Sequence, residues 1–165
     1  MDLIGGWFIG QGDLARALEY EQRALELEPG FRMAYGGLAQ IYLARSQPEE
    51  AIAGLQKGVS LSDRDPASVA ALASVYAQTG NKQKAEHLLK EVLASPFPPP
   101  VEVADIYANL GDLNRAFNWL EVAYRERQGS LIWIMPVANE AYGILRPLRS
   151  DPRWIDLLKR LNLKP

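Results

Sequence analysis

The chain has 165 residues, enough for one domain with a continuous apolar core. Hydrophobic residues make up 48% and charged residues 23%, the balance of a globular protein rather than a disordered one. A formal net charge of −2 creates no global field for nucleic acid, and the absence of cysteine excludes disulfides, thiolate metal sites and thiol nucleophiles without pointing to a compartment.

Charge is unevenly placed. Residues 1–110 carry nine basic and fourteen acidic side chains, and residues 111–165 carry nine and six. An excess that small reads as a solvated face, not as a nucleic-acid surface. No apolar run approaches the ~20 residues of a membrane span. The opening Met1-Asp2-Leu3-Ile4-Gly5-Gly6-Trp7-Phe8 lacks a basic start and carries an early Asp, so it does not read as a signal peptide.

The first helix is expected over residues 1–10. Gln11-Gly12-Asp13 is its turn, with Gly12 free to take positive φ and Asp13 placed to cap the next helix. The second helix covers residues 14–28 and is expected to bury Ala17, Tyr20, Ala24 and Leu27, at three- and four-residue spacing. Pro29-Gly30 ends it. A third helix spans residues 31–44. Ser46 stands in the next turn where the other turns have Gly, and Pro48 opens the fourth helix, where its missing N–H costs little. Glu49 and Glu50 favour that helix's positive end. Gly54 and Gly58 weaken it by roughly 1 kcal/mol each, which predicts close packing there or a softer segment.

Asp65-Pro66 caps and starts a fifth helix over residues 66–78. Thr79-Gly80-Asn81 turns the chain into a sixth over 82–94. His87, the only histidine, falls on its outer face, a lone imidazole with no Cys beside it to make a metal site. Ser95-Pro96-Phe97-Pro98-Pro99-Pro100 forms an extended connector that replaces the first turn of a short seventh helix, residues 101–110. Gly111-Asp112 leads into an eighth over 113–126, with Phe117, Leu120, Ala123 and Tyr124 as its inner stripe. Leu131-Ile132-Trp133-Ile134-Met135 is too apolar for water and should pack on the preceding helices. The last helix shows Trp154, Leu157, Leu158 and Leu161 on one face and Asp156, Lys159 and Arg160 on the other, which suits a cap over an exposed core.

These helices repeat. Tyr35, Leu38, Ala39, Tyr42, Ala51 and Leu55 return 34 residues later as Val69, Leu72, Ala73, Tyr76, Ala85 and Leu89. Phe8, Ala17 and Ala24 keep the phase upstream. Tyr107, Ala116, Leu120 and Ala123 keep it downstream, three residues early. A period of this length marks a helical solenoid. At these residues, and over the stretch Gly12-Asp13-Leu14-Ala15-Arg16-Ala17-Leu18-Glu19-Tyr20, the chain resembles the tetratricopeptide repeat (TPR) family.

The resemblance implies an all-α, right-handed superhelical solenoid of about four helix-turn-helix repeats with a C-terminal capping helix. The repeats fall at about 1–30, 31–65, 66–96 and 97–130, followed by a capping segment over 131–165. It also implies a concave groove lined by the first helix of each repeat, the A helices. Carried across, the groove positions are Met33, Gly36, Gln40 and Leu43, then Ala70, Ser74 and Gln78, then Val101, Asp105 and Asn109. Ala67, Ala77 and Ala108 fall among them. This face is small and uncharged apart from Asp105, and its amides would hydrogen-bond a ligand backbone. The family's clamp for acidic C-termini is missing, because its positions hold Asp2, Gly6, Gly37, Ala67 and Ala71.

The tail Leu148-Arg149-Ser150-Asp151-Pro152-Arg153-Trp154 with Leu157-Leu158 resembles tails found after such arrays in bacterial kinase-like proteins, winged-helix regulators and nucleotide cyclases. Met1 falls partway into the first repeat, so the expectation is a segment of a longer protein. The resulting open end, Leu3, Ile4, Trp7 and Phe8, predicts weak self-association.

Gly5-Gly6 with Gly10 and Gly12 lacks the Gly-Lys-Ser/Thr of a phosphate loop, and no Gly-x-Ser-x-Gly elbow occurs. The expected function is a non-catalytic scaffold, with no cofactor, no metal and no catalytic residue, that binds a protein or peptide in its groove. The alternative is a regulatory segment of a larger bacterial signalling enzyme or transcriptional regulator, docking in cis.

Overall fold

A computed structural model describes residues 2–129, 131 and 144–163, with the side chains of Asp2 and Leu3 excepted. Eight helices form four hairpins: α1 (Asp2–Gln11) with α2 (Leu14–Leu27), α3 (Arg32–Ala44) with α4 (Pro48–Leu61), α5 (Pro66–Gln78) with α6 (Lys82–Leu93), and α7 (Pro100–Leu110) with α8 (Leu113–Arg125). A 3-10 turn, Arg146–Leu148, and a last helix, α9 (Pro152–Arg160), complete the described chain. Among the described residues there is no strand, and no helix is long and apolar enough to cross a membrane.

The punctuation places the boundaries. Asp13, Asn81 and Asp112 each accept the backbone N–H three residues on, and Asp65 accepts those of both Ala67 and Ser68. Each cap satisfies donors that a helix start leaves open. Pro48, Pro66, Pro100 and Pro152 occupy first-turn positions. The turns at Gly12, Gly80 and Gly111 take φ of 76°, 82° and 89°. Ser46 takes the same role at φ 58°, so the missing glycine is replaced at a steric cost and not by a different turn. The proline connector leaves Phe97 88% exposed, and α7 is two residues shorter than α5, 11 against 13.

Packing makes the array curve. Each A helix (α1, α3, α5, α7) contacts the next one, and each second helix packs on the A helix after it, whereas successive second helices barely meet. The A helices therefore line the inner, concave side. Repeats two to four share one continuous core with Leu131, Leu145, Leu148, Trp154, Leu157 and Leu158, while Phe8, Ile9, Ala17 and Ile41 form a smaller cluster at the N-terminal end. Leu131 thus packs where expected; Ile132 to Met135 lie outside the described residues. The cap, α9, lies on α8. Arg160 grips Glu121 at 2.8 and 3.0 Å and covers the Tyr124 ring, and Arg153 bonds Asn114 and covers Phe117.

Two of the four residues expected to be buried on α2 are not: Tyr20 is half-buried and Leu27 is exposed. Leu27 is 65% exposed rather than part of the α2 stripe. At 3.6 residues per turn it stands about 80° round from Ala17, at the edge of the face, and it closes the last turn. The stripe runs Ala17, Glu21, Ala24. Glu21 is only 1% exposed, and its carboxylate end fills the space that a Cβ at Gly5 or Gly37 would occupy. Tyr42 is half-buried, whereas Phe8, Tyr76 and Tyr107 are buried. At the N-terminal end Trp7 is 59% exposed, as the open end implies, but Phe8, expected open with it, is buried.

The two α4 glycines separate. A Cβ at Gly58 would lie 2.9 Å from the Tyr35 ring, which is buried and tethered by its hydroxyl donating to the Pro29 carbonyl at 2.9 Å. A Cβ at Gly54 meets open space. Gly54→Ala is expected to stabilise by about 0.5–1 kcal/mol through helix propensity. Gly58→Ala is expected to destabilise by about 1–2 kcal/mol, because overpacking outweighs the same gain. Urea denaturation of both variants checks the pair; equal signs would contradict this packing.

Candidate functional site: the concave face

The ten candidate groove residues do all lie on the three A helices α3, α5 and α7, but they do not form one uniform surface. On α3, Met33, Gly36, Gln40 and Leu43 are all half-buried, and a Cβ added to Gly36 would meet nothing within 4 Å. On α5 and α7, Ala70, Ser74, Val101 and Asp105 are buried, as are Ala77 and Ala108. Gln78 is exposed at the end of α5, and Asn109 is half-buried one turn beyond Asp105. Four of the ten are therefore buried where α5 and α7 pack together rather than open to a ligand.

A polar network joins the two helices there. The Ser74 hydroxyl donates to Asp105 Oδ2 at 2.5 Å. Asn109 Nδ2 reaches the Asp105 carbonyl at 2.8 Å, Oδ1 at 3.2 Å and Ser74 Oγ at 3.3 Å, and Gln78 Nε2 donates to Ser74 Oγ at 3.2 Å. A further donor comes from outside the repeats: the Leu145 backbone N–H meets Asp105 Oδ1 at 2.6 Å. Burial pushes the Asp105 carboxyl above its usual range, against the lowering effect of the Ser74, Leu145 and Asn109 hydrogen bonds. Buried acceptors of this kind hold their place only when their donors are satisfied.

Glu102 stands one turn earlier on α7. Burial raises its carboxyl too, and Oε2 is enclosed with no hydrogen-bond partner among the described residues. The Arg32 charge counters that rise, while Asp105 and Asp65 add to it. A glutamate in a first helical turn reads from sequence as a partner of the helix dipole, so nothing marked it as enclosed. The Ser74–Asp105 pair did carry a signal. Ala70/Val101, Ser74/Asp105 and Gln78/Asn109 are each 31 residues apart, equivalent positions of neighbouring repeats, and such positions face each other across adjacent A helices. Leu145 carried none, because it lies outside the period.

At the N-terminal end Phe8 is buried, stacked with Tyr20 at 5.4 Å and covered by Arg16, while Ile4 and Trp7 are exposed. His87 is exposed on α6, along a cavity of about 830 Å³ on the outer side of the array between α4 and α6, whose floor includes Leu72 and Tyr76. Among the described residues no three His, Asp or Glu side chains converge as metal ligands would.

Residues 8–72 match a family model described as tetratricopeptide repeat, and residues 67–95 match a second model of the same description. No curated protein matches the chain. Among solved structures, the crystal structure of MamA aligns with 96% of this chain and 96% of that one, at 17% identity and a TM-score of 0.44. The two family matches together span residues 8–95, more than half of the 165, in the same phase as the helix pairs and the buried aromatics. The chain belongs to the tetratricopeptide repeat family.

Proposed function

We propose that this array is a non-catalytic scaffold that holds a peptide or partner domain against its concave face, with the α3 surface as first point of contact. Repeats of this family mediate protein–protein interaction in general. The observation that supports the finer reading is the open floor at Gly36, flanked by half-buried Met33, Gln40 and Leu43. A glycine with empty space above it lets a ligand backbone approach. Gln40 then offers a donor and an acceptor, and Met33 and Leu43 offer apolar area.

The test is capture from lysate of the source organism, using the wild-type chain, Gln40→Arg on the concave side and His87→Arg on the outer side. A partner kept by wild type and His87→Arg but lost with Gln40→Arg is the expected result. A partner retained by all three would move the interface away from α3.

A second reading makes the array a regulatory segment of a larger bacterial signalling enzyme or transcriptional regulator, docking in cis. What favours it is that Asp105 already accepts a hydrogen bond from a part of this chain outside the repeats.

A further inference from the structure

The cover over Asp105 is itself a ligand of the groove. Leu145 donates its backbone N–H to a buried carboxylate, as an external peptide would, and both Leu145 and Leu148 are completely buried in the core shared with α5 and α7. The 3-10 turn Arg146–Leu148 that joins them packs on α7. Among the described residues, two buried apolar side chains three residues apart and one backbone donor make this contact, with Ile144 packed beside them.

Three features make the contact one that can let go. Leu145 holds φ at 60°, a left-handed conformation that a bulky L-residue adopts only where its surroundings impose it. Asp105 is buried, with desolvation pushing its carboxyl up, and Glu102 one turn away holds an oxygen with no hydrogen-bond partner among the described residues. Undocking relaxes the backbone and returns water to Asp105. Those gains oppose the apolar burial of two leucines, so the docked state is held by a difference between large terms.

We propose that Leu145–Leu148 is an intramolecular competitor for the α5–α7 half of the concave face, and that an external partner using this half displaces it with a segment of the same chemistry: two leucine-like side chains at i and i+3 and a free backbone N–H for Asp105. This extends the groove-binding reading of the array, and it specifies both the regulation of the groove and the class of its ligand.

The probe is a fluorescent peptide with the sequence of residues 143–150, Gly-Ile-Leu-Arg-Pro-Leu-Arg-Ser. It is titrated into the full chain, wild type and Leu145→Asp, with a control peptide carrying Asp at both leucine positions. When the competent state is a minor fraction, apparent affinity falls by that fraction. The expected result is binding to Leu145→Asp at least ~10-fold tighter than to wild type, and none of the control peptide. Equal affinity for both chains, or no binding to a Leu145→Asp chain that keeps its helical circular dichroism, overturns the proposal.

Should Leu145→Asp fail to fold, amide exchange in the wild-type chain decides. The Leu145 amide should be protected by about 100-fold or more, yet exchange at least ~10-fold faster than the Tyr76 amide, through a local opening. An unprotected Leu145 amide, or one that exchanges in step with Tyr76, contradicts a displaceable contact. The two readings fail separately. Peptide binding without any captured partner keeps the competitor and removes the external ligand, and capture through Gln40 without peptide binding does the reverse.

Discussion

Tyr76→Ala is expected to lower the unfolding free energy by about 3–5 kcal/mol, the range for truncating a large buried aromatic. The ring is 6% exposed, lies in the main core and carries Lys84 above it at 5.0 Å. Its hydroxyl accepts from Gln56 Nε2 at 3.1 Å, which ties α5 to α4. For a chain of this length that loss is a drop in Tm on the order of 10 °C. Tyr42 occupies the equivalent repeat position but is only half-buried, so Tyr42→Ala should cost roughly half as much. Chemical denaturation of both variants checks the ranking. A loss below ~1 kcal/mol at Tyr76 would mean that the repeat register is wrong.

Trp154→Ala is the second large effect, also about 3–5 kcal/mol, but with a different signature. Trp154 is the anchor of α9 and shares the core with Leu157 and Leu158. A solenoid couples each repeat only to its neighbours, so removing the cap should unzip the array from one end. Amide protection in α7 and α8 is expected to fall well before protection in α3 and α4. By contrast, Arg160→Ala should cost no more than about 1 kcal/mol, since the Glu121 pair and the Tyr124 contact are at the surface. Uniform loss of protection along the chain would show that the cap is not a local element.

Much of the fold was legible because this sequence punctuates itself. Aspartate or asparagine before a helix, proline inside its first turn and glycine after its partner are local signals, and local signals survive without knowledge of the tertiary structure. Ser46 shows their limit: the turn is kept at φ 58° although its usual residue is absent, because the repeats on both sides impose it. The candidate groove positions came from the family resemblance rather than from the period.

What the period could not convey was burial by non-repeating chain. Ser74, Asp105, Ala70 and Val101 were expected at groove positions but are buried, and Asp105 is met by Leu145, which lies beyond the last repeat. Glu21 was missed for another reason. A charged residue at the centre of an apolar stripe is read as an interruption, whereas here Gly5 and Gly37 leave the room that lets it be enclosed. Gly5, part of a glycine cluster that lacks the phosphate-loop signature, has a packing role.

The division of the concave face into an open α3 half and a self-occupied α5–α7 half is tested most directly by thiol labelling. The chain has no cysteine, so single substitutions report without background. Gln40→Cys and Ala77→Cys place one thiol in each half; Gln40 is half-buried and Ala77 is buried. The account predicts that a maleimide reacts with Gln40→Cys within about tenfold of a free thiol, and with Ala77→Cys roughly 100-fold more slowly or worse, at a rate set by local opening. Equal, fast labelling of both would contradict it, because the whole face would then be open to ligand.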